Sequence, residues 1–492
     1  MPSDLAGSDP EPSSRGVLAR LVDPLRYRPG IALGELTYGE RKRSMRKVIV
    51  AWCSGTIFFT GITSAPLVGM FRRLGASVFL IGLLAAIPAA MMMLQPLSSW
   101  LVMRTGSRKR FFLRVSYPGR LAWIPVVLIG WLFPPSGATI AAMFLLVLVS
   151  RFCTEVTSPA WFSWVSDIVP EDERGAFWAS RQVWGTVFGA LATVCLSWYL
   201  GSSPPFERFV VFFCLMAVFG WLDVFIHRGV IGVRIDVPPE QPRIWRMMEE
   251  PLRDPRFRPL LIFTLFFSFA HQLGGGMFQL LLLEEIHLSY LEIALYTSGL
   301  LGVLTIASSG MWGRLMDNLE EGERIVFYLG AVLVALIAVP WTMIGPRQHV
   351  PIALNIAVSG IGWAGYQIAL TGLIIAYSPA ASRVTYVAVQ AAVSGIGYMV
   401  GSVVSGALAE AFVGLHGEWG PFKFSPLRIL YHVSAAGRLL CLLLLPMIRE
   451  PSSRPVGVYV RRLLSYNPFD PETWIYVRQK LGPREREGEG DG

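Results

Sequence analysis

Pro170-Glu171-Asp172-Glu173-Arg174 and Pro379-Ala380-Ala381-Ser382-Arg383 carry the same Pro-x-x-x-Arg pattern about 210 residues apart. The first copy follows the fourth apolar segment of the chain and the second follows the tenth, so the chain reads as two halves of six segments. Working outward from these blocks, apolar stretches lie near 48 to 70, 77 to 102, 111 to 133, 138 to 162, 177 to 200 and 207 to 227. The second half repeats the pattern near 259 to 283, 289 to 312, 325 to 345, 349 to 377, 385 to 412 and 427 to 448. Each is close to the ~20 residues that carry a helix across a bilayer.

Composition agrees. Of 492 residues, 53% are hydrophobic and 16% charged, and the mean hydropathy is +0.50, whereas a soluble domain carries roughly 25% charged residues. Hydrocarbon offers no partner to backbone polar groups, which leaves helix bundles and closed barrels as spanning structures, and continuous apolar runs are not barrel strands. The expected fold class is an all-α membrane protein with twelve transmembrane helices in two six-helix pseudo-repeats. The expected organisation is an N-terminal arm over 1–45, mostly disordered and cytoplasmic, a first bundle over 46–227, a central loop over 228–258, a second bundle over 259–449 and a tail over 450–492.

Basic residues set the expected orientation. Arg41, Lys42, Arg43, Arg46, Lys47, Arg104, Arg108, Lys109 and Arg110 crowd the connections on one side, with Arg228, Arg234, Arg243, Arg246, Arg253, Arg256 and Arg258 in the middle loop. The other side holds Arg72, Arg73, Arg208, Arg347, Lys423 and Arg428. The positive-inside pattern then puts both termini in the cytoplasm of a plasma membrane, taken as the bacterial inner membrane. The net charge of +9 reflects this topology; spread over loops, it argues against a nucleic-acid partner.

Ser99-Trp-Leu-Val-Met-Arg-Thr-Gly-Ser-Arg-Lys-Arg110 closes the second segment, and Gly313-Arg-Leu-Met-Asp-Asn318 closes the eighth. Together with the Asp167-x-x-Pro170-x-x-x-Arg174 run they resemble the loop signature of the major facilitator superfamily, over roughly residues 46 to 449. Ser99 and Met103 stand where the first copy of that signature has glycine and aspartate, and the second copy loses the basic run to Asn318, Glu320 and Glu321. The resemblance implies a secondary transporter whose halves are latched on one side by charged contacts, with Arg104, Gly106, Asp167, Arg174, Gly313, Asp317 and Arg383 as the latch. Charge-assisted pairs at a membrane edge are weak enough to break as a carrier turns.

Charges inside the hydrocarbon are more telling, because each costs at least ~2.5–3.5 kcal/mol near the middle of a helix unless it faces a cavity or partner. Arg120 lies on segment three, and Arg151 and Glu155 share one face of segment four. Counting inward at 1.5 Å per residue puts Arg120 roughly 13 Å and Glu155 roughly 12 Å deep, which allows a buried pair. Trp161 and Trp164 at the end of segment four read as interface-belt residues. The resemblance implies that the fourth helix lines a central cavity, making Arg151 and Glu155 the first choice for substrate or proton contact. Glu155 also fits a purely structural ion pair with Arg120, with Arg151 one turn further out.

Further candidates sit in the second half: His271 and Gln272 before the Gly274-Gly-Gly276 interruption, and Asn355 and Gln367 on segment ten. Gly397, Gly401 and Ser405 on segment eleven and Gly185 and Gly189 on segment five form small-residue stripes that let helices approach. The five cysteines lack metal-type spacing, no ATP-binding loop is present, and no cofactor or metal is expected. The reading is therefore no enzyme but a monomeric carrier of a small-molecule substrate in a lipid bilayer, working by alternating access, with a co-transported proton on Glu155. Two buried arginines point to an organic anion as cargo. Efflux of an amphipathic compound, and a carrier-like sensor or assembly protein, are the alternatives.

Overall fold

The computed structural model describes residues 36–95, 97–170, 173–233, 244–319, 321–379 and 382–448. The arm before residue 36 and the tail from 449 lie outside them. The first helix starts at Tyr38, within the stretch read as the arm, because Thr37 and Glu40 form a reciprocal capping box that satisfies its first N–H groups.

Among the described residues ten helices are long and apolar enough to cross a membrane, and Tyr38–Gly61 with Ala65–Arg73 makes an eleventh, bent by 42°. Val78–Met92 and Leu97–Thr105 occupy the second of twelve positions. The third to sixth spans are Arg108–Leu132, Gly137–Ile168, Arg174–Leu200 and Phe206–His227. The seventh to twelfth are Arg258–Glu285, Tyr290–Met316, Gly322–Thr342, His349–Tyr377, Arg383–Ala411 and Arg428–Met447. Odd spans run from the face where the first helix starts, here the N-terminal face, to the opposite face.

One connection departs from the all-helical expectation. Between spans eleven and twelve, strands β1 (Gly417–Trp419) and β2 (Phe422–Phe424) form a hairpin, turned at Gly420 with φ +58° and carrying Glu418 opposite Lys423.

The halves meet toward the opposite face. There the second span lies so close to the eleventh that a methyl group on Gly406 would stand 2.9 Å from the Phe79 carbonyl oxygen, and one on Gly82 would stand 2.7 Å from Gly406 Cα. Arg72 donates twice to Glu284, at 2.6 and 3.3 Å, and the Phe79 N–H donates to Glu410 at 3.2 Å. The small stripe on span eleven does different work. Gly397 and Gly401 abut the Leu265 and Phe269 carbonyls of span seven, and Ser405 donates to the Leu273 carbonyl at 2.7 Å, so this stripe fastens two helices of the same half.

Candidate functional site

Spans one, three, four, five and six enclose a cavity of about 270 Å³, lined among others by Trp52, Arg120, Glu155, Arg181, Asp223 and His227. Four aromatic side chains in its wall, Trp52, Phe59, Phe112 and Trp161, keep it largely apolar between the charges.

Arg120 is buried, with its guanidinium 3.6 Å from the Asp223 carboxylate, donating to Thr154 Oγ1 at 3.0 Å and lying over the rings of Phe58 and Phe59. Its carboxylate partner is thus Asp223 of span six, which corrects the expected pair with Glu155. Depth along two helices is one coordinate; rotation about each axis is another, and it turns Glu155 toward Gln95 of span two, which donates to it at 3.1 Å. Arg120 and Glu155 nevertheless share the cavity wall, as their matching depth implied.

His227 joins Asp223 to span four. Trp161 Nε1 donates to His227 Nε2 at 2.8 Å, while Nδ1 lies 2.8 Å from the Asp223 carbonyl and 3.3 Å from its carboxylate. A ring nitrogen that accepts carries no proton, so the proton sits on Nδ1. Trp161 is therefore an interior anchor. Trp164 is one as well, fully buried and donating to the Ile231 carbonyl at 2.8 Å. Neither is the interface-belt residue that its place near a helix end implied: the connection after span six covers Trp164, and Trp161 turns into the cavity wall.

Arg151 is buried away from the cavity and donates to the Ile62 carbonyl at 3.0 Å. That carbonyl lies at the bend of the first span, where helical partners are missing, so Arg151 pins the bend.

The candidates of the second half are not brought to this cavity. His271 packs its ring on Trp363 and Tyr398, Gln272 donates to Ser402 at 2.8 Å, Asn355 donates to the Ile337 carbonyl at 3.2 Å, and Gln367 is exposed. Arg438 is fully buried, and its three hydrogen bonds to Ser434 and to the Val334 and His271 carbonyls tie spans twelve, nine and seven together.

Of the latch set, Asp167 pairs with Arg108, which also donates to Ser163 at 2.6 Å; this contact stays within the first half. Gly106 ends its helix at φ +63°, Gly313 stands in open space and Arg383 is exposed at the start of span eleven. The side chains of Arg104, Arg174 and Asp317 lie outside the described residues. Glu173, beside Arg174, ties the start of span five to the start of span one by accepting from Lys42 at 2.6 Å and Tyr38 at 2.9 Å.

Asp223, Arg181 and Trp52 complete the site and were not among the sequence candidates. Trp52 fits only because position 185 is glycine: a methyl group there would lie 2.1 Å from Trp52 Nε1. Gly185→Ala is expected to displace the indole and quench or shift its emission relative to a Trp52→Phe background, without the loss of folding that a larger residue would bring; unchanged difference spectra would contradict the packing.

A model of the Major Facilitator Superfamily matches residues 48–402. No curated protein matches the sequence. Among solved structures the chain is similar to a mutant of the nucleoside transporter NupG, with TM-score 0.63 and 14% identity over 83% of this chain and 100% of that one. It is similar also to a POT family transporter in complex with 5-aminolevulinic acid, with TM-score 0.64 and 11% identity over 83% and 97%. A bacterial homolog of the human lysosomal transporter Spinster, inward-facing and unoccupied, gives TM-score 0.58 and 17% identity over 84% and 95%. Likeness at such low identity is a likeness of fold.

Proposed function

The chain belongs to the Major Facilitator Superfamily and is a secondary transporter held in a membrane; from this premise we propose that it carries a small organic anion by alternating access, coupled to a proton on Glu155. The observation that carries the reading is the cavity of the first half, where two guanidinium groups and two carboxylates, one of them paired with Arg120, share one small, largely aromatic space. Pockets of this kind, apolar with a few placed polar groups, are the usual form of small-molecule sites. Glu155 supports the coupling: among the described residues its one hydrogen bond comes from the neutral Gln95, so protonation breaks no ion pair there.

The basic N-terminal connections favour placing that face in the cytoplasm of the plasma membrane. On this orientation the contact between spans two and eleven and the Arg72–Glu284 pair lie on the outer side. The aromatic wall gives weight to a second reading, export of an amphipathic compound.

The test is flux in proteoliposomes under an imposed proton gradient, screened over pooled metabolites, with Glu155→Gln in parallel. The variant is nearly isosteric and keeps an oxygen for Gln95. Gradient-driven flux is expected to vanish in it while exchange without a gradient persists. Gradient-driven flux at the wild-type rate in Glu155→Gln would remove this residue from the coupling path, and net outward movement would favour export.

A further inference from the structure

Arg181 of span five is the unspent cation of the cavity. Arg120 has Asp223 as its counter-charge, and Glu155 has Gln95 as its donor. Among the described residues Arg181 makes neither an ion pair nor a hydrogen bond; its guanidinium is clasped by indoles, 3.7 Å from the Trp52 ring centre, 4.6 Å from Trp161 and 5.4 Å from Trp178. Ring faces attract a cation by ~0.5–2 kcal/mol, enough to fix its place but not to neutralise its charge.

A second observation concerns hydrogen bonding. Trp52 Nε1, Arg120 Nε and Arg181 Nε are buried N–H groups without acceptors, and all three belong to residues that line this one cavity. All are donors. These nitrogens are sealed within the wall, Trp52 Nε1 against Gly185, so what the cavity offers a ligand is the guanidinium of Arg181, which has donors and no acceptor. The two carboxylates of the wall, Asp223 and Glu155, are already engaged by Arg120 and Gln95, so the partner the cavity lacks is an acceptor for Arg181.

We infer that Arg181 anchors the carboxylate of the cargo, and that the cargo is an organic monoanion with a flat apolar body laid against Trp52 and Trp161. The planar fork of arginine matches a carboxylate at two points, and the indoles hold the fork in advance, so little order is lost on binding. The cavity volume limits the cargo to a small molecule. The proposal rests on the transporter reading for the fate of the cargo, while the anchor itself is read from binding.

The probes are benzoate and 2-naphthoate, with benzyl alcohol and benzylamine as neutral and cationic counterparts. Binding is followed by tryptophan emission of the purified protein, in wild type, Arg181→Gln, Arg181→Lys and Trp52→Phe. The carboxylates are expected to quench saturably, with Kd raised 10- to 100-fold in Arg181→Gln and less in Arg181→Lys, and with most of the quench lost in Trp52→Phe. The alcohol and amine are expected to bind at least tenfold more weakly than benzoate, and the alcohol to ignore Arg181→Gln. A purely structural Arg181 would lower the unfolding temperature while leaving this discrimination intact, and that result overturns the anchor. So does equal affinity for benzoate and benzyl alcohol, or the absence of any carboxylate response in the wild type. Pooled-metabolite flux separates the two claims: flux with no carboxylate binding contradicts the anchor alone, and carboxylate binding with no flux contradicts the transporter reading alone.

Discussion

Gly406→Leu is expected to abolish transport and leave the carrier open on the face that the structure shows closed. A side chain at Gly406 meets backbone rather than flexible atoms, the Phe79 carbonyl at 2.9 Å and Gly82 Cα at 3.2 Å, so the second and eleventh spans must part to admit it. Forced overpacking of this kind costs typically 1–3 kcal/mol. At the upper end, with each 1.4 kcal/mol a factor of ten, the closed state loses roughly 150-fold in population. The Arg72–Glu284 pair on the same face is far weaker: both side chains are about a third exposed, and pairs of that sort contribute 0–1 kcal/mol. Backbone contact therefore dominates the closure, and Arg72→Ala is a mild control. Ala409→Cys is buried at this contact and serves as reporter. It is expected to resist a membrane-impermeant thiol reagent in the wild-type background and to react in Gly406→Leu; equal protection in both would show that the contact does not govern closure.

Asp223→Ala is expected to be the most destabilising single change in the first half. It leaves Arg120, 4% exposed, without a counter-charge. Breaking a buried pair from one side costs about 3–5 kcal/mol, because the remaining charge has lost its partner but not its burial. Thr154 and the rings of Phe58 and Phe59 remain and soften the loss toward the lower figure. Removing both charges with matched volume, as in Arg120→Met with Asp223→Leu, is expected to regain most of it, since apolar replacements of buried pairs are often neutral. Thermal unfolding in detergent measures both. A double variant as unstable as the single one would mean that the two side chains matter for shape and not for charge.

The helical architecture was readable because hydrocarbon admits few solutions: an apolar run of about 20 residues has little choice but to span. The first start and the hairpin were also present in outline, as the Thr37-x-x-Glu40 box and as Gly420-Pro421 between Trp419, Phe422 and Phe424. Both are short local signals, which the strong apolar pattern overshadowed. At the site, rise per residue placed Arg120 and Glu155 at one level and in one cavity. It carried no information on azimuth, so the pairing went to Asp223. Yet Asp223 and Arg181 lie inside the apolar stretches 207 to 227 and 177 to 200, and the expense of a charge in hydrocarbon that singled out Arg120 applies equally to them. Arg151 shows the converse. A buried charge satisfied by a bend in a neighbouring helix looks, in sequence, like one that faces a substrate.

The central claim is that the chain moves a small solute across the membrane by alternating access, and solute counterflow tests it most directly. Proteoliposomes loaded with unlabelled metabolite pools are diluted into traces of the same labelled compounds, with no gradient of protons or other ions. The account predicts transient accumulation of at least one labelled anion, absent from empty liposomes and from Gly406→Leu. No counterflow from any pool, by protein that unfolds cooperatively and binds the carboxylate probes, would contradict it.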